Sequence, residues 1–334
     1  MKKKSKKIDM VMKIPKEARY AIEPPPELFG THPVSAAIHG RPGCGKTTMM
    51  YNILKKYKQA GLCDRVLFCT PTAGSNKSLL EDLDIDMKDI FDPSDKKVPS
   101  KVTKIVEDER DEFVDDLYEM EKYDEYQKLC GHMGFLAAKR KVYGEEKEYT
   151  IDGNEINQNS SLGIVPRPKM KYQNATGGRP NIWMIYDDCI STPVWEKNQS
   201  FSNLMIRCRH VGAMPYRKGK PQFTGALGLN NLFLIHALTC ERGGLPKLVR
   251  QNLFQFIIVG NTANKKELKM LADAVGGQVS EKDFYQMKEQ ANQDQYDSFI
   301  IDFLYNKKTQ PSMFRRNLDT FLLPTESQEP LTYL

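Results

Sequence analysis

The chemistry of this chain is concentrated in Gly40-Arg41-Pro42-Gly43-Cys44-Gly45-Lys46-Thr47, with Thr48 next to it. Glycines at 40 and 45 let the backbone turn where a Cβ would clash, so successive N–H groups can converge on an anion. Lys46 can reach β- and γ-phosphates as a point charge, and the Thr47 hydroxyl can ligate Mg²⁺. This is the spacing of a phosphate-binding P-loop, which counts only between a strand and a helix. Both flanks are present. Residues 34–38 form a short apolar run, and an amphipathic helical pattern starts near Thr47, adding the positive end of its dipole. The alternative is an ordinary Gly-rich turn before a helix. The expected ligands are a nucleoside triphosphate, ATP, and Mg²⁺.

A second apolar run, Asn181-Ile-Trp-Met-Ile-Tyr, ends in Asp187 and Asp188. In P-loop ATPases such a strand is expected beside the P-loop strand, with its terminal aspartate in the Mg²⁺ shell, and Asp187 fits that role. Asp188 follows at the place of a carboxylate that orients and polarises an attacking water. Aspartate is one methylene shorter than the more common glutamate. Acidic residues also cap strands before plain turns, so the pair draws its meaning from the P-loop upstream.

These groups need a scaffold, and the hydrophobic pattern supplies one. Predicted strands cover 34–38, 65–70, 181–187, 231–239 and 254–259, with a terminal pair at 298–305 and 318–323. Predicted helices follow the P-loop and cover 194–210 and 265–275, with another from about 281. Strands alternating with helices argue for an α/β fold with a central, mostly parallel sheet and helices on both faces. Residues 1–32 read as a basic, Pro-containing extension, and 33–323 as one P-loop ATPase domain with insertions around 81–180 and 211–230. Residues 324–334 read as a tail. Within the first insertion, Val102, Ile105, Val106, Phe113, Leu117 and Met120 recur at helical spacing, which predicts one or two surface helices with an acidic outer face. Residues 139–180 are polar and predict a loop or small hairpin, functional or disordered.

Composition narrows the partners. The chain has 334 residues and is 40% hydrophobic, and no run approaches the length of a membrane span. Seven scattered cysteines show no zinc-like pairing and point to a reducing, intracellular compartment. Net charge is +6, but five lysines within residues 1–7 supply +5, which leaves +1 for the remainder. That tail could be a nuclear address, a DNA-touching arm or a solubilising end. Residues 207–220 hold six basic side chains, counting His210, and could face DNA or simply be a solvated loop.

Taken in order, GRPGCGKT at 40–47, CTPT at 69–72, IWMIYDD at 182–188, Arg209-His210, and LPKLVRQN at 245–252 before the FQFIIVG strand resemble a known family. They resemble the genome-packaging ATPases of large nucleocytoplasmic DNA viruses and their polinton and virophage relatives, within the FtsK–HerA class of P-loop motors. The resemblance implies a RecA/FtsK-like P-loop NTPase and attack of water on the γ-phosphate of ATP. It further implies DNA-stimulated turnover that moves double-stranded DNA into a preformed viral capsid, at a portal-like vertex, by a homo-oligomeric ring. The implied location is a virus assembly site in host cytoplasm or nucleus, or the virion. Arg250, in the LP…R segment, is then the first candidate for an arginine delivered to a neighbour's nucleotide, and Arg209 the second. A polar sensor is implied at the end of the strand before that segment, where Thr239 or Cys240 stands. Two other readings remain: a P-loop kinase acting on a small molecule, and a nucleotide-gated structural or DNA-binding virion component.

Overall fold

Side chains that alternate with period two but are apolar on both sides can only belong to strands covered on both faces. The computed structural model describes residues 24–72, 77–144, 150–151, 154–155, 163–196, 198–238, 244–261 and 263–324. Its strands are β1 (Ser35–His39), β2 (Arg65–Cys69), β3 (Ile90–Phe91), β4 (Thr150–Ile151), β5 (Asn154–Glu155), β6 (Ile182–Asp187) and β7 (Asn230–Ile235). They continue with β8 (Gln255–Val259), β9 (Ser298–Asp302), β10 (Phe314–Arg316) and β11 (Thr320–Leu322). The helices are α1 (Lys46–Gln59), α2 (Lys77–Asp82), α3 (Val98–Met133), α4 (Phe135–Tyr143), α5 (Gln199–Arg207), α6 (Lys247–Gln251), α7 (Lys265–Val275) and α8 (Glu281–Ala291).

Nine strands make one mixed sheet in the order β11-β10-β9-β8-β1-β7-β6-β2-β3, while β4 and β5 pair with each other. From β8 to β3 the neighbours are parallel, and β9 to β11 continue antiparallel. Ala36, Ile38, Phe68, Trp183, Ile185, Leu232 and Leu234 pack with Met50, Ile53 and Leu54 of α1 on one face. Ala37, Leu67, Met184, Tyr186, Phe233 and Ile258 meet α3, α5, α7 and α8 on the other. The chain thus leaves β1 toward one face and returns after β7 and β8 on the opposite face. Loops diverge at such a switch point and open a crevice at the carboxyl ends of the strands. Among the described residues, no helix is long and apolar enough to cross a membrane.

Several expectations are corrected. The strand ending in Asp187 does not adjoin the P-loop strand, because β7 lies between them. Asn230 is the physical reason: its Oδ1 accepts from Val34 N at 2.7 Å and its Nδ2 donates to Ile182 O at 3.0 Å, so it bonds both neighbours. The strand expected over 231–239 stops at Ile235, whose carbonyl takes its last bond from Gly40 N at 3.0 Å. The helix expected over 194–210 is confined to α5 by the Asn198 side chain, which accepts from Phe201 N, and a 3₁₀ turn follows at Cys208–His210. The helix expected in the acidic insertion is present as the 36-residue α3, on which α4 folds back around Tyr126, Ala138 and Val165. The terminal strand pair is three strands, with β10 unforeseen.

The expected start of the domain at 33 also moves. Leu28 and Phe29 are buried, and the buried Arg315 donates to Glu27 O at 3.0 Å and Leu28 O at 2.6 Å. Residues 1–23 and 325–334 lie outside the described residues. Replacing Arg315 by Met keeps its length and removes both charge-assisted bonds. Urea unfolding of Arg315→Met is expected to show a loss of about 2–4 kcal/mol. A loss below about 0.5 kcal/mol would mean that this segment does not contribute to the stability of the domain.

Candidate functional site

The site is built where β1 stops and α1 starts. Gly43 and Gly45 take φ of 77° and 100°, the left-handed region that glycine enters freely. A Cβ on Gly40 would collide with the Cys44 sulfur, which is buried beneath the loop. Arg41, Pro42, Gly43 and Thr48 are exposed, and Thr47 is half-buried. The ammonium of Lys46, a residue only 8% exposed, is held against the loop. Its Nζ donates to Gly40 O at 2.9 Å and to Arg41 O at 3.2 Å. Burial pushes the Lys46 pKa down, and Cys44, Asp188 and Asp187 oppose that shift.

A residue unforeseen in the sequence completes the set. His236 immediately follows β7, with Nδ1 at 3.1 Å from Lys46 Nζ and Nε2 at 2.7 Å from Asp188 Oδ1. Nδ1 also lies 3.1 Å from Gly40 O, so it faces both a donor, Lys46, and an acceptor, that carbonyl. A carboxylate oxygen only accepts, so Nε2 is the atom that donates to Asp188. Asp188 adopts φ 50°, a left-handed conformation that costs an aspartate about 1–2 kcal/mol. That turn parts its carboxylate from Asp187 and sets it against His236. Asp187, at the end of β6, is 8% exposed and takes a long 3.5 Å bond from Thr70 Oγ1. Burial first, and then the charge of Asp188, push the Asp187 carboxyl up to about 6. Thr70 also meets Thr72 at 3.1 Å, so the CTPT turn borders the acid.

Two more residues hold Leu238, two positions past His236. The buried Glu267 accepts from Leu238 N at 2.6 Å, and Arg250 Nη1 donates to Leu238 O at 2.6 Å. Glu267 also forms a capping box with Asn264 at the start of α7, and His39 Nε2 lies 3.6 Å from its carboxylate. Burial lowers the His39 pKa, against the opposing pull of Glu267.

The structure therefore brings together Lys46, Asp187 and Asp188, with Thr47 in the same loop. Arg250 reaches this group only through the Leu238 backbone. Arg209 does not join it: its guanidinium stacks 5.1 Å over Phe254, at the amino end of β8. The length of a five-residue strand, about 17 Å, separates that end from the one bearing Lys46. Thr239 and Cys240 lie outside the described residues, and the polar group that ends the strand is His236. The signal was present, since His236 is the one ionisable side chain in the run from Leu232 to Leu238. Extending the strand to 239 hid it inside an apolar pattern.

Among the described residues, no group of three or more His, Cys, Asp or Glu could hold a metal unaided. Mg²⁺ does not ask for one, because it binds through one or two carboxylates together with substrate phosphates and water. The half-buried Thr47 hydroxyl and the buried Asp187 carboxyl fit that donor set. No protein-family model matches the chain, and no curated protein matches it.

The raised Asp187 has a measurable consequence. The folded chain holds this proton to higher pH than the unfolded chain, so between about pH 4 and 6 the native state binds more protons and stability falls as pH rises. Without divalent metal, Asp187→Asn is expected to be more stable than wild type at pH 7.5, by on the order of 3 kcal/mol. The difference should vanish near pH 4. Urea unfolding at the two pH values checks this, and a pH-independent difference would place the Asp187 pKa at an ordinary value.

Proposed function

We propose that this chain hydrolyses ATP and uses the energy to move double-stranded DNA into a viral capsid, as a subunit of a homo-oligomeric ring. The observation that carries the ATPase reading is the convergence of Lys46, His236, Asp188 and Asp187 over a glycine loop at the carboxyl ends of β1, β7 and β6. The RecA/FtsK-like P-loop fold belongs to the same proposal. So do the DNA and capsid, which rest on the ordered motifs at 40–47, 69–72, 182–188 and 245–252.

In this reading the backbone N–H groups from Gly43 to Thr47 hold the phosphates, and Lys46 exchanges its bonds to Gly40 O and Arg41 O for phosphate oxygens. Mg²⁺, held by Thr47 and Asp187, would supply positive charge to the β- and γ-oxygens. Asp188 orients a water for in-line attack: the water oxygen bonds to the γ-phosphorus as the bond to the bridging oxygen breaks. The proton leaves toward Asp188. His236 Nε2 fixes the direction of that carboxylate, and its Nδ1 reports the position of Lys46.

Part of the expected DNA surface changes with this geometry. In the loop expected to contact DNA, Arg217 and Lys220 both pair with Glu121, at 2.7 and 2.8 Å, and Arg217 stacks on Tyr118 and Phe223. One carboxylate thus offsets part of the positive charge of that loop. A groove between α3 and α5 is lined by Lys104, Arg110, Arg207 and His210 together with Glu107. Arg110 pairs with Asp111 at 2.8 Å, so Lys104 and Arg207 are the cations the groove offers to a phosphate backbone.

Two experiments test the proposal. Lys46→Ala should lose nucleotide affinity together with turnover, whereas Asp188→Asn should still bind ATP and hydrolyse it about 10²- to 10⁴-fold more slowly. Phosphate release measured with and without duplex DNA, and with no added small acceptor, reads both effects and separates hydrolysis from a kinase. Wild-type turnover in Asp188→Asn would remove that residue from the mechanism. The second experiment assigns the arginines. Arg250 is tied to Leu238 within its own subunit, while Arg209 is exposed. Mixed rings of Arg209→Ala and Lys46→Ala subunits should regain ATPase activity, because an intact site meets an intact arginine. Mixtures of Arg250→Ala and Lys46→Ala should stay inactive. The reverse pattern would make Arg250 the residue acting on a neighbour.

A further inference from the structure

The loop at Gly40–Thr47 opens on one side into a cavity of about 730 Å³, within the range of small-molecule sites. One helical stripe of α1 forms its wall, with Gly45, Thr48, Met49 and Asn52 following at intervals of three and four. The opposite side comes from the antiparallel end of the sheet, with Tyr296 before β9 and residues 317–319 between β10 and β11. The Tyr296 ring is 65% exposed, although it lies against the glycine loop. Its Cδ1 is 3.3 Å from where a Cβ on Gly45 would stand, so the missing side chain lets the ring approach.

The backbone next to the ring is held by many bonds. The neighbouring Asp297 carboxylate accepts from Arg316 at 2.9 Å, Asn317 at 3.1 Å and Asp294 N at 2.9 Å. Its carbonyl accepts from Gly260 N at 2.7 Å and Asn292 at 3.0 Å. An exposed aromatic face beside the glycine loop is a stacking surface. The Asn52 amide oxygen and the Asp319 carboxylate can accept a hydrogen bond from a base's amine N–H.

We infer that this cavity is the nucleobase subsite of the triphosphate site, with the base stacked on Tyr296. The inference rests on the nucleotide reading above and adds the part of the ligand that the phosphate loop cannot recognise. It also gives the three appended strands a task, because Tyr296 and Asp319 stand outside the parallel sheet.

Titration calorimetry with two probes, ATP and inorganic tripolyphosphate, tests it on wild type, Tyr296→Ala and Tyr296→Phe. Tyr296→Ala should bind ATP roughly 5- to 150-fold more weakly and tripolyphosphate as wild type does. Tyr296→Phe should match wild type with both probes, because the face and not the hydroxyl makes the stack. Unchanged ATP affinity in Tyr296→Ala, or an equal loss with both probes, overturns the subsite and leaves the phosphate site standing. A wild-type chain that binds neither probe overturns both readings. Thermal melts of the three proteins should coincide, since the ring is exposed, and a Tyr296→Ala chain that melts early is replaced in the same comparison by Tyr296→Leu.

Discussion

The site depends on β7 being held between β1 and β6. Neighbouring strands lie about 4.8 Å apart, so one inserted strand sets the carboxyl ends of β1 and β6 about 10 Å apart. That spacing leaves a gap between Asp187 and the glycine loop that adjacent strands would narrow. Asn230 fixes the insertion with one amide, accepting from Val34 N on one side and donating to Ile182 O on the other. A buried asparagine is costly unless its groups are bonded, and these bonds span both neighbours, so another strand order would leave them unmade. The inserted strand also delivers His236 to the gap it creates.

Two opposed charges are held in that gap under strain of a useful kind. Burial lowers the Lys46 pKa and raises that of Asp187, so each charged form is destabilised on its own. The proposed metal–phosphate ligand would bring negative charge to the lysine and positive charge to the carboxylate, offsetting both costs. His236 keeps Lys46 and Asp188 from pairing directly. Its two ring nitrogens face the two groups on opposite sides, Nδ1 toward Lys46 and Nε2 toward Asp188.

Most of the scaffold was legible because it follows from local rules. Alternating apolar residues gave β1, β2, β6 and β8 within a residue or two, and the glycine spacing located the loop and the start of α1. Strand order was not legible, since the Asn230 bonds join residues far apart in sequence and nothing local in the 231–235 run distinguishes a central from a flanking strand. His236 was missed for a related reason. The apolar pattern runs on through Ala237 and Leu238, while the strand ends where Leu238 N turns to the carboxylate of Glu267. β10 was missed because Phe314-Arg-Arg carries charge into a strand, and the buried Arg315 finds its partners in backbone carbonyls 287 and 288 positions away.

Glu267 ties the site to the rest of the domain. One carboxylate closes the capping box of α7, accepts from the Leu238 backbone and faces His39 at the end of β1. Because the group is buried, each of these bonds is made in a low dielectric, and losing one exposes a charge that water cannot reach. Arg250 grips the same residue at its carbonyl. Leu238 is therefore held at both its N–H and its C=O, two residues from the imidazole between Lys46 and Asp188. The amino end of α7 is joined through Glu267 to the residue two positions past His236, so the start of that helix and the imidazole between Lys46 and Asp188 belong to one bonded network.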